Sequence, residues 1–351
     1  MPERVAITGA TGFIGSAVVR EFLHAGYRVR ALLREQSSRE NLAGLDVEIA
    51  TLDLQSPGDG AAALVDCDGL VHVAADYRLF VTDSVPLYRV NVDGTRALMQ
   101  AALTARLRRI VYTSSVAVLG HRDTRLPADE DTPATLADMI GHYKRSKFLA
   151  EAEVLRLVNA AQLPAVIVNP SAPVGPRDLK PTPTGRMVLD AARGRMPAYL
   201  DTGLNIVHVE DVAHGHRLAY ERGVRGRRYI LGGDNMPLKE ILSLLAHLAG
   251  RSAPRFKLAP GPLLPLAALA ETWARLTHTT PRLTRDELAM ARRPMYYTSA
   301  RAERELGYTH RPAEYALRDA LAWFAAHGRL PGNAAARPFE LTPPAARTPT
   351  R

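Results

Sequence analysis

Short apolar runs alternate with longer amphipathic stretches through the first half of the chain. The runs have the length and composition of buried strands, and they cover residues 5–8, 28–33, 47–50, 69–73, 109–113 and 164–168. Most of the stretches between them are long enough for a crossover helix, and the best helical patterns span 13–25, 86–104 and 141–161. This alternation predicts an α/β fold with a doubly wound parallel sheet of the Rossmann type.

The pattern becomes less regular after Pro170. Glycines and prolines cluster between residues 171 and 184, where we expect loops. Strand-like runs return near 204–209 and 227–231, and helical patterns cover 238–248, 263–276 and 312–327. We therefore expect a Rossmann domain over 1–175 with later sheet elements from about 204–235, and a smaller mixed substrate lobe over 176–203 and 236–330. Residues 331–351 are rich in Pro, Ala and Arg without apolar periodicity, which predicts a disordered tail.

Composition narrows the class of protein. The 351 residues are 46% hydrophobic and 23% charged, as in ordinary globular domains, which excludes disorder of the whole chain. Two long uncharged runs, 157–176 and 258–270, are interrupted by prolines, so we expect no transmembrane helix. No signal-peptide pattern precedes the first strand, and we expect a cytoplasmic protein. The one cysteine, Cys67, excludes an intramolecular disulfide and dithiol chemistry.

Basic residues outnumber acidic ones. Lys and Arg total 45 against 36 for Asp and Glu, a net charge of +9, but the excess is scattered along the chain. No zinc-finger spacing, RNA-recognition string or basic helix is present, so we expect no nucleic-acid partner. An anionic cofactor or an anionic membrane would suit this charge. His208 and Asp211 could begin a metal site, but they lack a third ligand and better fit a strand-end histidine and a helix-capping aspartate, so we expect no metal.

A glycine-rich loop follows the first strand. The string TGATGFIG, residues 8–15, lies between that strand and the first helix. Its three glycines would allow a tight turn, a close approach of the backbone to a pyrophosphate and close packing of the helix on the sheet. The loop therefore predicts dinucleotide binding, with a purely structural glycine turn as the alternative. The residues expected to hold the cofactor here are Gly9, Thr11, Gly12, Phe13, Ile14 and Gly15.

The end of the second strand predicts which dinucleotide is bound. NAD-binding sheets carry an acidic residue there for the ribose hydroxyls, but this chain has Arg34, followed by Ser37, Ser38 and Arg39. This group suits the 2′-phosphate of NADP, which we therefore expect in preference to NAD. Alternatively, Arg34 stacks on the adenine or lies in solvent. Asp53, after the third strand, either meets the adenine amine or belongs to an exposed turn.

Three side chains with acid–base or hydrogen-bonding chemistry converge beyond the fifth strand. Tyr143 and Lys147 are four residues apart on a predicted helix and so share one face. Ser115 follows the fifth strand, at the sheet edge where ligands of such folds bind. A hydroxyl, a phenol and an ammonium group can thus meet at the nicotinamide. Because tyrosine ordinarily titrates at about pH 10, we expect Lys147 and the charge of an oxidised nicotinamide to lower the pKa of Tyr143.

Four strings together resemble the extended short-chain dehydrogenase/reductase superfamily: TGATGFIG, NVDGT at 91–95, the TSS that ends at Ser115, and YKRSK at 143–147. The resemblance covers nearly the whole chain up to Leu330. Longer strings are similar to its dihydroflavonol-reductase-like branch, and especially to the hopanoid-associated sugar epimerase family: HVAADYRLF, DMIGHYKRSKFLAEAEVL, NPSAPVGPRDLKPTPTG and MPAYLDTGLNIVHVEDVA. The family name implies sugar epimerisation without establishing a substrate.

The resemblance implies a role for each site residue. Tyr143 would be the general acid/base, Lys147 its partner, Ser115 the donor to the carbonyl oxygen, and 169–171 the segment beside the carboxamide. Further cofactor contacts are expected at Leu54, Ala74, Ala75, Pro170 and Ser171. Loops after sheet strands offer candidate substrate contacts, with surface packing as the alternative, at Tyr77, Phe80, Arg177 and Lys180. Paired long helices in similar proteins also imply a homodimer.

Two positions depart from the sugar epimerases. Those enzymes usually carry an aspartate at the end of the second strand, where this chain has Leu33 and Arg34, and an arginine where it has Asn169. Both departures favour the reductases, so we expect NADPH-dependent reduction of a ketone, with a link to hopanoid or other lipid metabolism. A nucleotide-sugar epimerase or dehydratase is the alternative. A non-catalytic dinucleotide sensor is a second alternative, but a sensor would not need the three converging side chains.

The proline-broken apolar segment 258–270 is open to two interpretations. It could dock on a membrane or on a lipid substrate, but a buried helix of the substrate lobe is the preferred prediction. His72, inside a strand, is expected to have its hydrogen bonds satisfied within the sheet.

Overall fold

Parallel strands form the central sheet of the computed structural model, which describes residues 2–330 except 57, 59, 123–125, 278, 280 and 282. The expected tail at 331–351 lies outside the described residues. The strands of the described chain are β1 Arg4–Thr8, β2 Arg28–Leu33, β3 Glu48–Thr51, β4 Gly69–His72, β5 Arg109–Thr113, β6 Ala165–Pro170, β7 Ala172–Val174, β8 Ala198–Leu200, β9 Gly203–His208, β10 Arg228–Leu231, β11 Asp234–Pro237 and β12 Phe256–Leu258.

Helices cover both faces of this sheet and build the smaller lobe. Within the described residues they are α1 Phe13–His24, α2 Gly60–Ala63, α3 Val85–Tyr88, α4 Thr95–Thr104, α5 Gly141–Ala161, α6 Pro183–Ala192, α7 Val209–Arg222, α8 Leu238–Leu248, α9 Pro260–Thr277, α10 Arg285–Met290, α11 Ala300–Leu306 and α12 Ala313–Ala326. No helix of the described chain has the length and apolar character needed to cross a bilayer.

The large sheet has seven strands in the order β10-β6-β5-β4-β1-β2-β3, and every neighbouring pair is parallel. The strand order reverses between β1 and β4, which opens a crevice at their carboxyl ends. The predicted doubly wound fold is therefore confirmed. The six strands expected in the first half all form, with ends that differ from the prediction by at most two residues.

Two apolar layers enclose the sheet because side chains of a strand alternate between its faces. On β1, Val5 and Ile7 pack into the layer formed with α1 and α7. Ala6, between them, packs into the opposite layer, which includes Leu98 of α4 and Val154 of α5. The continuous apolar sequence of β1 thus follows from burial on both faces.

The helix expected over 86–104 is interrupted. Between α3 and α4 the chain forms a π-helical stretch, Arg89–Gly94. Gly94 lies so close to β3 and its following loop that an added Cβ would come within 2.5 Å of the Leu54 carbonyl oxygen. Asn91 lies inside the structure, where its amide bonds the backbone of Asp76 and the Ser146 hydroxyl. The π-helical stretch therefore joins the loop after β4 to α5.

The smaller lobe has its own sheet and apolar core. β9 pairs with β7 in parallel and with β11 in antiparallel orientation, and α6, α8 and α12 enclose a separate cluster with these strands. Of the strands predicted after residue 200, only β10 extends the large sheet, whereas β9 belongs to the small one. α6 also begins within the segment expected to form loops, with the Thr182 hydroxyl accepting a hydrogen bond from Gly185 N.

Candidate active site

The glycine loop between β1 and α1 leaves room that side chains would fill. Gly9 adopts a left-handed backbone conformation, with φ of 66°, and an added Cβ would lie 2.8 Å from the nitrogen of Ala74. At Gly15 a Cβ would lie 2.0 Å from the Gly9 carbonyl oxygen. Gly12 caps α1 without any side-chain hydrogen bond, so the first amides of the helix are available to an anion. This cradle fits the pyrophosphate of a dinucleotide.

The opposite wall of the crevice is the segment that follows β4. The Thr8 hydroxyl accepts hydrogen bonds from the nitrogens of Val73 and Ala74, both at 3.1 Å. It also contacts His72 Nδ1 at 2.7 Å, while His72 Nε2 lies 3.0 Å from the Thr95 hydroxyl. Burial lowers the pKa of His72 to about 3, so the ring is neutral. These bonds hold Ala74 and the following Ala75 against the glycine loop.

Three further residues of the glycine loop and the start of α1, Thr11, Phe13 and Ile14, contact neighbouring parts of the structure. Phe13 and Ile14 open α1 and pack partly on the core. The Thr11 carbonyl accepts a hydrogen bond from the Asn41 amide at 3.1 Å, and the same amide bonds the Arg177 carbonyl at 3.2 Å. The glycine loop is thereby tied to the loop that follows β7.

The carboxyl end of β2 carries an available cation. Arg34 is exposed, and its guanidinium has no hydrogen-bond or ion-pair partner among the described residues. Asp53 is also exposed, and its carboxylate accepts a hydrogen bond from Gln55 N at 2.9 Å, as in an ordinary turn. Leu54, beside it, is buried. The end of β2 therefore offers a cation to the adenosine end of a dinucleotide. β2 itself carries no carboxylate.

α5 brings Tyr143 and Lys147 to the carboxyl end of β5. The Lys147 ammonium donates to the Tyr112 hydroxyl at 2.9 Å and to the Thr113 carbonyl at 2.7 Å. An ammonium group has three donors, so one is left for a further acceptor. Burial lowers the pKa of Lys147 to about 7, and the Glu151 carboxylate opposes that lowering.

Tyr143 pairs with Ser115. Burial raises the pKa of the Tyr143 phenol above its usual value, and a hydrogen bond with the Ser115 side chain offsets only part of that rise. We expected Lys147 to lower this pKa. In the chain alone the Lys147 ammonium bonds Tyr112 and Thr113 instead, so the phenol remains protonated at neutral pH.

The buried carboxylate of Glu151 forms hydrogen bonds beside Lys147, Tyr143 and Ser115. Glu151 is 2% exposed and accepts hydrogen bonds from Arg228 Nε at 2.6 Å and from Asn169 Nδ2 at 3.1 Å. The Asn169 amide also bonds the carbonyl of Ser115 at 3.1 Å. Asn169 therefore connects β6, α5 and the loop after β5. Glu151 and Tyr112 were not predicted, although Glu151 lies four residues after Lys147 and so on the same helix face.

Three buried polar atoms at this edge of the sheet have no hydrogen-bond partner within the described part of the chain: Ser114 Oγ, Asn169 Oδ1 and Ser171 Oγ. Ser171 and the preceding Pro170 lie where β6 ends. Buried polar atoms are seldom left unpaired in native proteins. Their position beyond β5 and β6 fits the amide group of a nicotinamide.

The candidate substrate contacts lie on the loop after β7 and opposite it. The Tyr77 hydroxyl donates to the Lys180 carbonyl at 3.5 Å, and the Lys180 side chain is exposed. Phe80 is half-buried. Arg177, in a left-handed conformation, bonds the Glu210 carboxylate at 2.7 Å. Arg177 is thus held to the start of α7.

Asp178, which sequence reasoning missed, lies beside these residues. It is 2% exposed, and one carboxylate oxygen accepts hydrogen bonds from Thr182 while the other has no hydrogen-bond partner among the residues that the structure describes. Burial raises its pKa to about 6. The same carboxylate helps to raise the pKa of Tyr77, so the two groups are close together.

The expected helix-capping role of Asp211 is wrong. His208 is the capping residue of α7: its Nδ1 accepts a hydrogen bond from Glu210 N at 3.1 Å, and its Nε2 contacts Asp319 at 3.2 Å. Asp211, in the first turn, instead binds the backbone and guanidinium of Arg311. The Asp211 carboxylate offsets the partial positive charge at the N-terminus of α7, and the imidazole nitrogen of His208 caps the helix. No cluster of three metal-ligating side chains occurs among the described residues.

Comparison with known proteins shows the family to which the chain is similar. Residues 5–232 match the model of the NAD dependent epimerase/dehydratase family. A dihydroflavonol 4-reductase-like protein of Synechocystis sp. is 43% identical over 93% of this chain and 96% of its own length. Sterol demethylase protein B of Methylococcus capsulatus is 35% identical over 92% of this chain and 99% of its own.

A solved structure supports the same assignment. The crystal structure of gox2253 is 52% identical in sequence and superposes with a TM-score of 0.85, covering 94% of this chain and all of that one. The chain therefore belongs to the NAD-dependent epimerase/dehydratase family of extended short-chain dehydrogenases/reductases, enzymes that bind a nicotinamide dinucleotide.

Proposed function

We propose that the protein uses NADPH to reduce a ketone of a lipid-like substrate to an alcohol. The observation that carries this proposal is the exposed, unpartnered guanidinium of Arg34 at the end of β2. A cation there favours the 2′-phosphate of NADP, and a carboxylate would favour NAD. The names of two relatives, which refer to a reductase and to sterols, support the reaction and the substrate class.

The cofactor would be held along the crevice by groups already in position. The glycine loop and the first amides of α1 would bind the pyrophosphate, Arg34 the 2′-phosphate, and the free donor of Lys147 a ribose hydroxyl. The unpaired Asn169 Oδ1 and Ser171 Oγ suit the carboxamide. When bound, NADPH supplies a hydride to the carbonyl carbon.

The protein's own groups would manage the proton. Ser115 donates a hydrogen bond to the carbonyl oxygen of the substrate, and Tyr143 transfers its proton to that oxygen as negative charge develops there. The raised pKa of Tyr143 favours this direction, because it keeps the phenol protonated at neutral pH. Glu151 helps to keep Lys147 charged, and that charge stabilises the phenolate after proton transfer.

Epimerisation or dehydration of a nucleotide sugar is the second candidate function. The description of the matching family favours it. An epimerase returns the hydride to the same substrate, so it retains its cofactor and consumes none. The two functions therefore differ in whether NADPH is consumed during turnover, which can be measured.

We expect net oxidation of NADPH when the purified protein is given lipid-derived or small ketones. The absorbance of NADPH is followed during turnover, and denatured protein is analysed for retained cofactor. Nucleotide sugars serve as the comparison substrates. Interconversion of sugars by protein that retains NAD, without loss of NADPH, would establish the epimerase instead.

Tyr143→Phe is expected to lower kcat by roughly 10²- to 10⁴-fold, because it removes the proton donor. Cofactor affinity should change little, since most cofactor contacts lie elsewhere. Turnover and cofactor titration are measured side by side. Tyr315→Phe, on α12, is the matched control and should retain activity; substantial turnover by Tyr143→Phe would remove this residue from the acid role.

Arg34→Asp is expected to reverse the preference for NADP over NAD. A carboxylate repels the 2′-phosphate and accepts bonds from ribose hydroxyls, and loss of the charge-assisted contact should weaken NADP binding by roughly ten- to a hundredfold. Titration with both cofactors measures this. Arg28→Asp makes the same charge change at the other end of β2 and should leave the preference intact. Equal affinities in the unaltered protein would contradict the role of Arg34.

Glu151→Gln is expected to move the alkaline limb of the kcat/KM profile to lower pH by roughly one unit. Lys147 loses its charge as pH rises through its pKa of about 7, and removal of the carboxylate lowers that pKa further. Glu153→Gln, two residues along α5, is the control, because Glu153 pairs with Arg96 and Arg156 at the surface. A folded Glu151→Gln protein with an unchanged profile would refute this effect.

A further inference from the structure

Helix α9 presents large apolar side chains to solvent. Leu266, Leu269, Trp273 and Leu276 are 58%, 67%, 68% and 74% exposed. Their spacing of three, four and three residues places them in one stripe along the helix. We call this stripe the α9 apolar face.

The opposite side of α9 is the one that packs on the protein. Ala267, Glu271 and Ala274 are buried there, and the Glu271 carboxylate binds Arg285 of α10 at 2.9 Å. The preferred expectation of a buried lobe helix is therefore wrong for this segment. Two alanines face the interior while three leucines and a tryptophan face outward, which is unusual for a helix folded for burial alone.

The strand before α9 also carries exposed apolar side chains. Phe256 and Leu258 of β12 are 68% and 39% exposed. Phe256 lines a cavity of about 290 Å³ together with Met196, Leu242, Arg251 and Arg255. This cavity, beside the strand that precedes α9, thus combines apolar walls with two guanidinium groups.

α9 and the chain segments before and after it carry exposed arginines. Arg251, Arg255, Arg275 and Arg292 are exposed, and none of them has an ion-pair partner among the described residues. Arg275 lies in the last turn of α9, and Arg292 follows α10, which packs against α9. The acidic residue of α9, Glu271, is buried and paired. α10 also carries Asp286 and Glu287, both half-buried, and the four exposed arginines outnumber these two carboxylates.

We propose that the α9 apolar face docks the protein on the surface of an anionic lipid bilayer. A helix with leucines and a tryptophan on one face and arginines around it has the chemistry that binds at the boundary between headgroups and acyl chains. Each nearby cation is also attracted to anionic lipid. A second copy of this chain would bring the same arginines against one another, and that repulsion disfavours self-association through this face.

Vesicle binding by the full-length protein tests the proposal. Trp323→Phe leaves Trp273 as the single tryptophan, so its fluorescence reports on α9 alone. Vesicles of phosphatidylcholine mixed with phosphatidylglycerol should bind the protein and shift the Trp273 emission to the blue. Brominated acyl chains in those vesicles should quench it. Vesicles of phosphatidylcholine alone should bind more weakly.

Two double variants complete the experiment. Leu269→Ser with Trp273→Ser should lower partitioning onto anionic vesicles by about tenfold or more, because two large apolar side chains are lost. Val65→Ser with Val224→Ser alters exposed apolar residues elsewhere, 55% and 51% exposed, and should leave partitioning unchanged.

Three results would overturn the proposal. The first is absence of binding to anionic vesicles. The second is binding that persists in the α9 double variant, or binding of the Trp323→Phe protein that leaves its Trp273 emission unchanged. The third is that the unaltered protein sediments as a dimer, that the α9 double variant sediments as a monomer, and that Trp273 is shielded from solvent without lipid. A second copy of the chain would then cover the α9 apolar face.

Discussion

Burial of the Lys147 ammonium group is the constraint on which the arrangement of the site depends. A cation removed from water is stable only when acceptors and opposite charge surround it. Here β5 supplies the Tyr112 hydroxyl and the Thr113 carbonyl, and α5 itself supplies Glu151. α5 cannot slide or rotate on the sheet without leaving that charge unpaired. Tyr143, one turn earlier, is consequently held at the carboxyl end of β5.

The same carboxylate extends the network across the sheet. Glu151 binds Asn169 at the end of β6 and Arg228 at the start of β10, and Asn169 in turn binds the carbonyl of Ser115. Tyr143 on α5 and Ser115 after β5 are therefore positioned by one set of bonds. This arrangement explains how a site assembled from a helix, three strands and a loop keeps a single geometry.

Local patterns were enough to predict the first half of the fold. Strand and helix periodicities are properties of neighbouring residues, and most of the elements they predicted up to β6 formed close to the expected positions. They did not predict the π-helical stretch Arg89–Gly94, in which Gly94 packs closely on Leu54 of the loop after β3, a contact between segments distant in the chain. For α9 the apolar composition predicted a helix correctly but predicted burial wrongly, because composition alone does not say which face has a partner.

The sequence by itself determined the dinucleotide fold, the glycine cradle and the spacing that places Tyr143 and Lys147 on one helix face, since each depends on residues close together in the chain. Only the tertiary structure decided that β9 joins the small sheet, that His208 caps α7, and that Lys147 bonds Tyr112. These outcomes depend on contacts between distant segments. Periodicity carries no information about which distant donor or acceptor will meet a buried polar group, and the hydrogen-bonding requirement of such groups is met only when the whole chain has packed.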